Sequence, residues 1–267
     1  SSVESPWMPT LRQRIRQSAN ASGIDVAISD GILYVFADKL YALDPATGSE
    51  YWSLIPPENM GLYIGAVGSG YLSVFENDFS STQLHTYILN ANRTSPPTLV
   101  WSADMGIGSA DRSPPAIDGN LVFATSRAGV LKSFELNGDG TALWEKTVRG
   151  NGSASALPLA TNGAVIIQEE VSSNVFQLVG YNGLTGTEIF RTAISGMGIS
   201  WGQPIVKDNV VYLATDHSGA LYSVSVPGLP GNWTMIRGNA QLTGSSISGI
   251  EAIVDETTLT VDLPQLY

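Results

Sequence analysis

One pattern recurs five times along this chain, and it limits what the chain can fold into. In residues 21–52 a small-residue entry, Ala21-Ser22-Gly23, leads to Val26-Ala27-Ile28, a turn at Asp30-Gly31 and the run Ile32–Ala37. Leu40–Asp44 follows, then the turn Pro45–Gly48, and the unit closes on Glu50-Tyr51-Trp52. Turn residues stand where positive φ or an Asx turn is wanted, and the runs between them are β-branched and aromatic. The unit therefore reads as four strands joined by three turns. Further turn markers, Ser69-Gly70, Asp118-Gly119, Asn162-Gly163 and Asp208-Asn209, recur at intervals of about 45 residues. Each precedes an apolar run: Tyr71–Phe75, Leu121–Ala124, Ala164–Ile167 and Val210–Ala214. The units close on an aromatic residue: Trp52, Trp101, Trp144, Phe190 and, less cleanly, Trp233.

A four-stranded sheet of this size has two apolar faces and cannot bury both alone. Stacking such sheets around an axis covers them, so the pattern predicts an all-β chain, a β-propeller of four-stranded antiparallel blades. The blades run roughly over 21–57, 58–106, 107–150, 151–196 and 197–246. Residues 1–20 form an N-terminal arm or closing strand, and residues 247–267 a C-terminal strand or tail. Ile253-Val254 and Leu259–Leu263 read as further strands, which leaves the termini available to complete a sixth blade. The repeating aromatics are structural in this reading. One large ring per blade, packed between neighbouring sheets, buries roughly 200 Å².

Composition narrows the function classes. The formal charge is −11, which repels phosphate backbones and anionic lipid, so neither nucleic acid nor an anionic membrane surface is an expected partner. No apolar run approaches the length of a membrane-spanning helix, so membrane insertion is not expected either. The chain has no cysteine, which excludes disulfides, thiolate metal sites and Cys nucleophiles.

Catalytic signals are weak. Of the two histidines, His85 falls at the start of a strand and His217 in the turn Asp216–Gly219. Asp216-His217 is half of a hydrolytic triad, but no serine in a nucleophile-elbow setting accompanies it. Asn137–Thr141 opens like a calcium loop, yet Val148 stands where the bidentate Glu is required, so it reads as a polar hairpin turn. Glu169 and Glu170 point to opposite faces if extended and read as a solvated hairpin tip. No catalytic residue, metal ligand or cofactor is assigned.

The binding candidates come from aligning the repeats ahead of Pro114, Pro158 and Pro204. There Asp111, Arg112 and Trp201 break a rule of small residues otherwise kept by Ser155, Ala156 and Gly202. These segments lead into the first strand of a blade, where a propeller presents its channel mouth. Variable residues on a fixed scaffold are where binding concentrates. With Asp216 and His217 they form the predicted channel-mouth site.

Two segments carry a family resemblance. Tyr41–Trp52, YALDPATGSEYW, resembles the signature of the pyrroloquinoline-quinone-like (quinoprotein-type) β-propeller repeat. Asn232–Gly244, NWTMIRGNAQLTG, resembles a second recurrent stretch of that family, with a fainter echo at Pro6–Pro9. The resemblance implies the propeller fold but not an activity, because one fold hosts many functions. The family's quinone enzymes need a Ca²⁺ site and a catalytic Asp, and many add a vicinal disulfide. The disulfide is impossible here, and no carboxylate cluster stands at a convincing position. The resemblance therefore implies the non-catalytic branch: an extracytoplasmic binding or scaffold propeller of the bacterial cell envelope, holding a protein partner. Two alternatives stay open. One is a carbohydrate-binding or quinone-dependent oxidoreductase-like module with a glycan or small molecule at the channel mouth. The other is a structural subunit of a larger extracellular assembly.

Overall fold

Two-residue turns set the register of the first hairpin in each repeat. The computed structural model describes residues 25–36, 39–55, 61–77, 81–92, 94–106, 113–126, 128–148, 157–172, 175–193, 204–207, 210–214, 221–226 and 234–235. In it Asp30-Gly31, Ser69-Gly70 and Asn162-Gly163 all take positive φ. Two consecutive positive φ values define the I′ turn, whose twist matches that of the strands it joins. The third repeat departs from its marker. Asp118 already lies in a strand and pairs with Leu121, so the turn is Gly119-Asn120, one residue later than expected.

These hairpins build five four-stranded antiparallel sheets among the described residues. Blade 1 holds β1 (Asp25–Ser29), β2 (Ile32–Phe36), β3 (Leu40–Leu43) and β4 (Glu50–Leu54). Blade 2 holds β5 (Gly61–Gly68), β6 (Tyr71–Asn77), β7 (Thr82–Ile88) and β8 (Thr98–Asp104). Blade 3 holds β9 (Ala116–Asp118), β10 (Leu121–Thr125), β11 (Val130–Glu135) and β12 (Trp144–Thr147). Blade 4 holds β13 (Leu159–Thr161), β14 (Ala164–Ser172), β15 (Val175–Asn182) and β16 (Glu188–Ala193). Blade 5 holds β17 (Ile205–Lys207), β18 (Val210–Ala214), β19 (Leu221–Ser225) and β20 (Thr234–Met235). The first strands of successive blades, β1, β5, β9 and β13, touch one another in turn, which makes them the inner strands.

Blade 5 breaks the simple order. Its strands run β19-β18-β17-β20, with Thr234 opposite Val206 and Met235 opposite Ile205. The strand beside Trp233 thus adds to the first strand of its sheet instead of closing the outer edge, as the repeat pattern led one to expect. Trp233 itself lies outside the described residues, as do the terminal segments expected to complete a sixth blade.

The apolar core lies between blades. Ala27, Tyr34 and Trp52 of blade 1 pack on Val67, Leu72 and Val74 of blade 2. Trp101 and Phe75 of blade 2 pack on Val122 and Phe134 of blade 3. Leu121 and Phe123 of blade 3 pack on Val165 and Tyr181 of blade 4. Ile166 and Phe176 of blade 4 pack on Val211 and Val224 of blade 5. Blades 2, 3 and 4 thus each bury one face on the blade before and one on the blade after, which is why their strands are apolar on both sides.

Four of the closing aromatics, Trp52, Trp101, Trp144 and Phe190, lie in these seams. The Trp101 indole donates to the carbonyls of Glu135 and Leu136, both at 3.1 Å, and its ring meets Phe134 at 5.4 Å. Trp144 donates to Gly183 O at 2.7 Å and lies between Phe123 and Tyr181. Trp52 is buried in the first seam, and Phe190, without an N–H to donate, packs on the fourth.

Candidate functional site

Pro114 and Pro158 stand two residues and one residue ahead of the inner strands β9 and β13, and Pro204 stands one residue ahead of β17, which in blade 5 is covered on its inner side by β20. The five residues predicted to line the channel mouth, Asp111, Arg112, Trp201, Asp216 and His217, lie outside the described residues.

Several other expected features take definite form. The turns after the third strands of blades 1 and 4 share one hydrogen-bond design. Asp44 Oδ1 accepts from Ala46 N at 2.7 Å and Thr47 N at 3.3 Å. Asn182 Oδ1 accepts from Leu184 N at 3.0 Å and Thr185 N at 3.1 Å. In Asn137–Thr141, Asp139 Oδ1 accepts from Thr141 N at 2.9 Å, and Gly140 takes positive φ as Gly48 and Gly186 do. That stretch is the hairpin turn between β11 and β12. The N–H donors hold Asp44 and Asp139 below the ordinary carboxylate range, with the backbone bonds from Ala46 and Thr141 the largest causes.

Two polar clusters, missed in the sequence, face the seams instead. Strand register shows them to be equivalent. On blade 2, Glu76 lies opposite Gln83 and Leu72 opposite Tyr87. On blade 4, Glu169 lies opposite Gln177 and Val165 opposite Tyr181. The same Glu, Gln and Tyr positions thus recur two blades apart. A short signal was available: Gln83-Leu84-His85-Thr86-Tyr87 and Gln177-Leu178-Val179-Gly180-Tyr181 share Gln-Leu-x-x-Tyr.

In blade 4 the cluster is closed by Arg191. Its Nη1 donates to Glu169 at 3.3 Å and to Gln177 at 3.0 Å, and its Nη2 to Glu169 at 3.2 Å and Glu188 at 2.8 Å. The Tyr181 hydroxyl donates to Glu169 at 2.6 Å, and the Lys146 ammonium sits over the Tyr181 ring. Burial first, and then its bond to Glu169, push the Tyr181 hydroxyl well up. The hydrogen bond from Arg191 holds the Glu188 carboxyl low. This corrects the expectation of a solvated tip at Glu169-Glu170. The hairpin runs on to Ser172 and Val175, and Glu169 is a mostly buried member of a seam.

In blade 2 the cluster is Glu76, His85, Tyr87 and Ser102. His85 is mid-strand in β7, opposite Val74 on one side and Ser102 on the other, not at a strand start. Its Nε2 contacts the Glu76 carboxylate, and its Nδ1 is 2.7 Å from Ser102 Oγ. The order serine, imidazole, carboxylate is that of a nucleophile with its base. Ser102, however, lies within the extended strand β8, not on a sharp turn that would present its hydroxyl beside converging N–H donors. The arrangement suits a hydrogen-bonded seam better than acyl transfer.

No group of three or more His, Cys, Asp or Glu side chains is placed to hold a metal ion among the described residues. Nor, among them, is any helix long and apolar enough to cross a membrane.

Stacked four-stranded sheets whose closing aromatics dock on the next blade define a β-propeller of the PQQ-like repeat class. The family described as outer membrane protein assembly factor BamB matches residues 92–225, from the turn before β8 to the end of β19. The chain belongs to that family. It is 28% identical to the outer membrane protein assembly factor BamB of Escherichia coli (strain K12) over 117 residues, which cover 41% of this chain and 29% of that protein. The chain thus matches under a third of that relative's length. Among solved structures it is similar to Saccharomyces cerevisiae Sqt1, with TM-score 0.57 and 12% identity over 78% of this chain and 60% of the other. The computationally designed Ika8 protein gives TM-score 0.52 and 15% identity over 77% and 59%. At these identities the structures speak to fold alone.

Proposed function

We propose that this chain is a non-catalytic binding propeller of the bacterial cell envelope, positioned outside the cytoplasm, that holds a protein partner. Membership in a family described as an outer membrane protein assembly factor carries this reading. Its fit with the residues supports it. The conspicuous tryptophans, Asx turns and seam carboxylates are engaged in architecture, and the residues free of that duty by sequence are Asp111, Arg112 and Trp201. In this reading those three, with Asp216 and His217, form the contact face at the channel mouth. An aromatic beside an arginine is a common pair of interface anchors.

The test is capture from solubilised envelope with the immobilised chain, followed by identification of the bound protein and measurement of its Kd. The expected result is one partner bound saturably, with affinity reduced at least tenfold by Asp111→Ala or Trp201→Ala, about 1.4 kcal/mol or more. Unchanged affinity in both variants overturns the proposed face. Failure to capture any envelope protein overturns the function.

A further inference from the structure

The chain contains four Asn-Gly pairs, at Asn137, Asn151, Asn162 and Asn182. In such a pair the side-chain amide is open to attack by its own main chain, because glycine has no side chain to obstruct the following nitrogen. The glycine nitrogen gives up its proton and attacks the asparagine Cγ. The new N–C bond closes a five-membered succinimide, and the side-chain nitrogen leaves as ammonia. Water then opens the ring at either carbonyl and leaves aspartate or isoaspartate. Water is the only co-reactant, and nothing is oxidised or reduced. A fold governs the rate through the glycine N–H, since one held by an acceptor cannot turn toward Cγ.

Asn151 lies outside the described residues. In the other three pairs the glycine nitrogen is held unequally. Gly163 N donates to Asp118 Oδ2, a carboxylate of the neighbouring blade, at 2.5 Å. That charge strengthens the bond and opposes loss of the proton. Gly183 N donates to Gly163 O at 2.7 Å, and Gly183 is buried. Gly138 N donates to Glu135 O at 3.2 Å, the long end of the hydrogen-bond range. Its acceptor lies in the same turn, so a local opening frees the nitrogen without parting two strands. Asn137 is also exposed, so water reaches the ring. The amide oxygens do not separate the cases. Asn137 Oδ1 accepts from Asn120 Nδ2 at 2.7 Å, and Asn182 Oδ1 accepts from Leu184 N and Thr185 N. The nitrogen decides.

The turn that holds Asn137 is the one on which blade 2 docks. Trp101 donates its indole N–H to Glu135 O and Leu136 O, both at 3.1 Å. A Cβ on Gly140 would lie 2.9 Å from Ser102 O and 3.3 Å from the Trp101 ring, so the turn has no slack on that side. Isoaspartate at 137 carries the main chain through Cβ and Cγ and lengthens it by one atom just after those two acceptors. We propose that Asn137 is a site of spontaneous deamidation in the folded chain, and that the isoaspartate formed there loosens the seam between blades 2 and 3. The site stands whether or not the chain binds an envelope protein.

The test incubates the whole chain at mildly alkaline pH, folded and, in parallel, unfolded in urea, and maps its peptides by mass. Only the amide-to-acid mass gain is counted, so isomerisation at the Asp-Gly pairs, which leaves the mass unchanged, does not interfere. In the folded chain Asn137 should deamidate at least about tenfold faster than Asn162 and Asn182, whereas in urea the three should react alike. Equal rates in the folded chain, or a faster Asn162 or Asn182, overturn the site. The seam is read by thermal unfolding. Aged wild type should unfold roughly 2–4 °C lower than fresh wild type. Asn137→Gln aged alike should not shift, and fresh Asn137→Asp, with the charge but not the longer main chain, should stay close to fresh wild type. An equal drop in aged Asn137→Gln, or an Asn137→Asp as unstable as the aged chain, overturns the role of the isoaspartate. Should the variants fail to fold, hydrogen exchange on wild type decides. Amides of β10 and β11 must open several-fold more in the aged chain, relative to those of β2 and β3, and equal change in both pairs contradicts the proposal.

Discussion

Trp144 and Gly183 join blade 3 to blade 4 through one hydrogen bond, from the indole Nε1 to the glycine carbonyl at 2.7 Å. The same carbonyl accepts from Ser133 Oγ at 2.7 Å, and Gly183 N donates to Gly163 O at 2.7 Å. One turn of blade 4 is thereby fixed to the closing strand of blade 3 and to the first hairpin of its own sheet. The repeated tryptophan is both a packing ring and a polar rivet.

The rivet leaves no room for a side chain. A Cβ on Gly183 would lie 2.7 Å from Gly163 O, Leu121 Cδ1 and Phe123 Cζ. Gly183→Ala should therefore cost about 1–3 kcal/mol, because backbone and core rings must both shift. Trp144→Phe keeps a ring and removes the donor, and should cost about 1 kcal/mol. Urea denaturation of the two variants measures both.

A second close fit lies between blades 1 and 2. The Phe36 ring packs against Gly65 of β5, where an added Cβ would lie 2.2 Å from the ring. Gly65→Ala should destabilise by about 2 kcal/mol, and Phe36→Leu, which frees the space, should recover part of that loss. A double-mutant cycle with a coupling of at least about 1 kcal/mol is expected, and a coupling near zero contradicts the contact.

Features carried by short segments were legible in the sequence, and features built across strands were not. The turns at Asp30-Gly31, Ser69-Gly70 and Asn162-Gly163 and the seam roles of Trp52, Trp101 and Trp144 follow from local composition and spacing. The shift at Asp118 was hidden because that side chain serves another blade, accepting from Gly163 N at 2.5 Å. Glu169 looked like a hairpin tip because its partners, Gln177, Tyr181 and Arg191, come from two further strands. His85 was hidden likewise, between Glu76 and Ser102. The order β17-β20 also escaped the repeat pattern, since the pairing of Thr234 with Val206 skips two intervening strands.

The acid limb of stability should reflect the Asx turns. Asp44 and Asp139 are held below the ordinary carboxylate range by backbone N–H donors. A carboxyl group lowered on folding stabilises above its unfolded value and loses that contribution as pH falls through its folded value. The unfolding temperature should thus decline as pH drops below about 4. Asp44→Asn keeps the acceptor that Asn182 provides natively, so it should fold normally with a shallower acid decline. Asp44→Ala removes the acceptor and should be the less stable variant at neutral pH. Thermal scans across the acid range separate the two.

The Arg191 clamp predicts a sharp difference between two cations. Its guanidinium spans Glu169, Gln177 and Glu188 at once, a geometry one ammonium cannot match. Arg191→Lys keeps the charge but loses the fork, and should cost about 1 kcal/mol after allowance for solvent screening at a side chain 31% exposed. Arg191→Ala leaves Glu169 largely buried and without that cation, and should cost about 2 kcal/mol. Adding Glu169→Gln to Arg191→Ala removes the stranded charge and should recover most of the difference. Denaturation in low and high salt tests this directly: the Arg191→Ala penalty should shrink as ionic strength rises, because screening eases the exposed share of the lost interaction. A penalty that the Glu169→Gln change leaves intact would mean that Arg191 stabilises blade 4 by the packing of its stem and not by its charge.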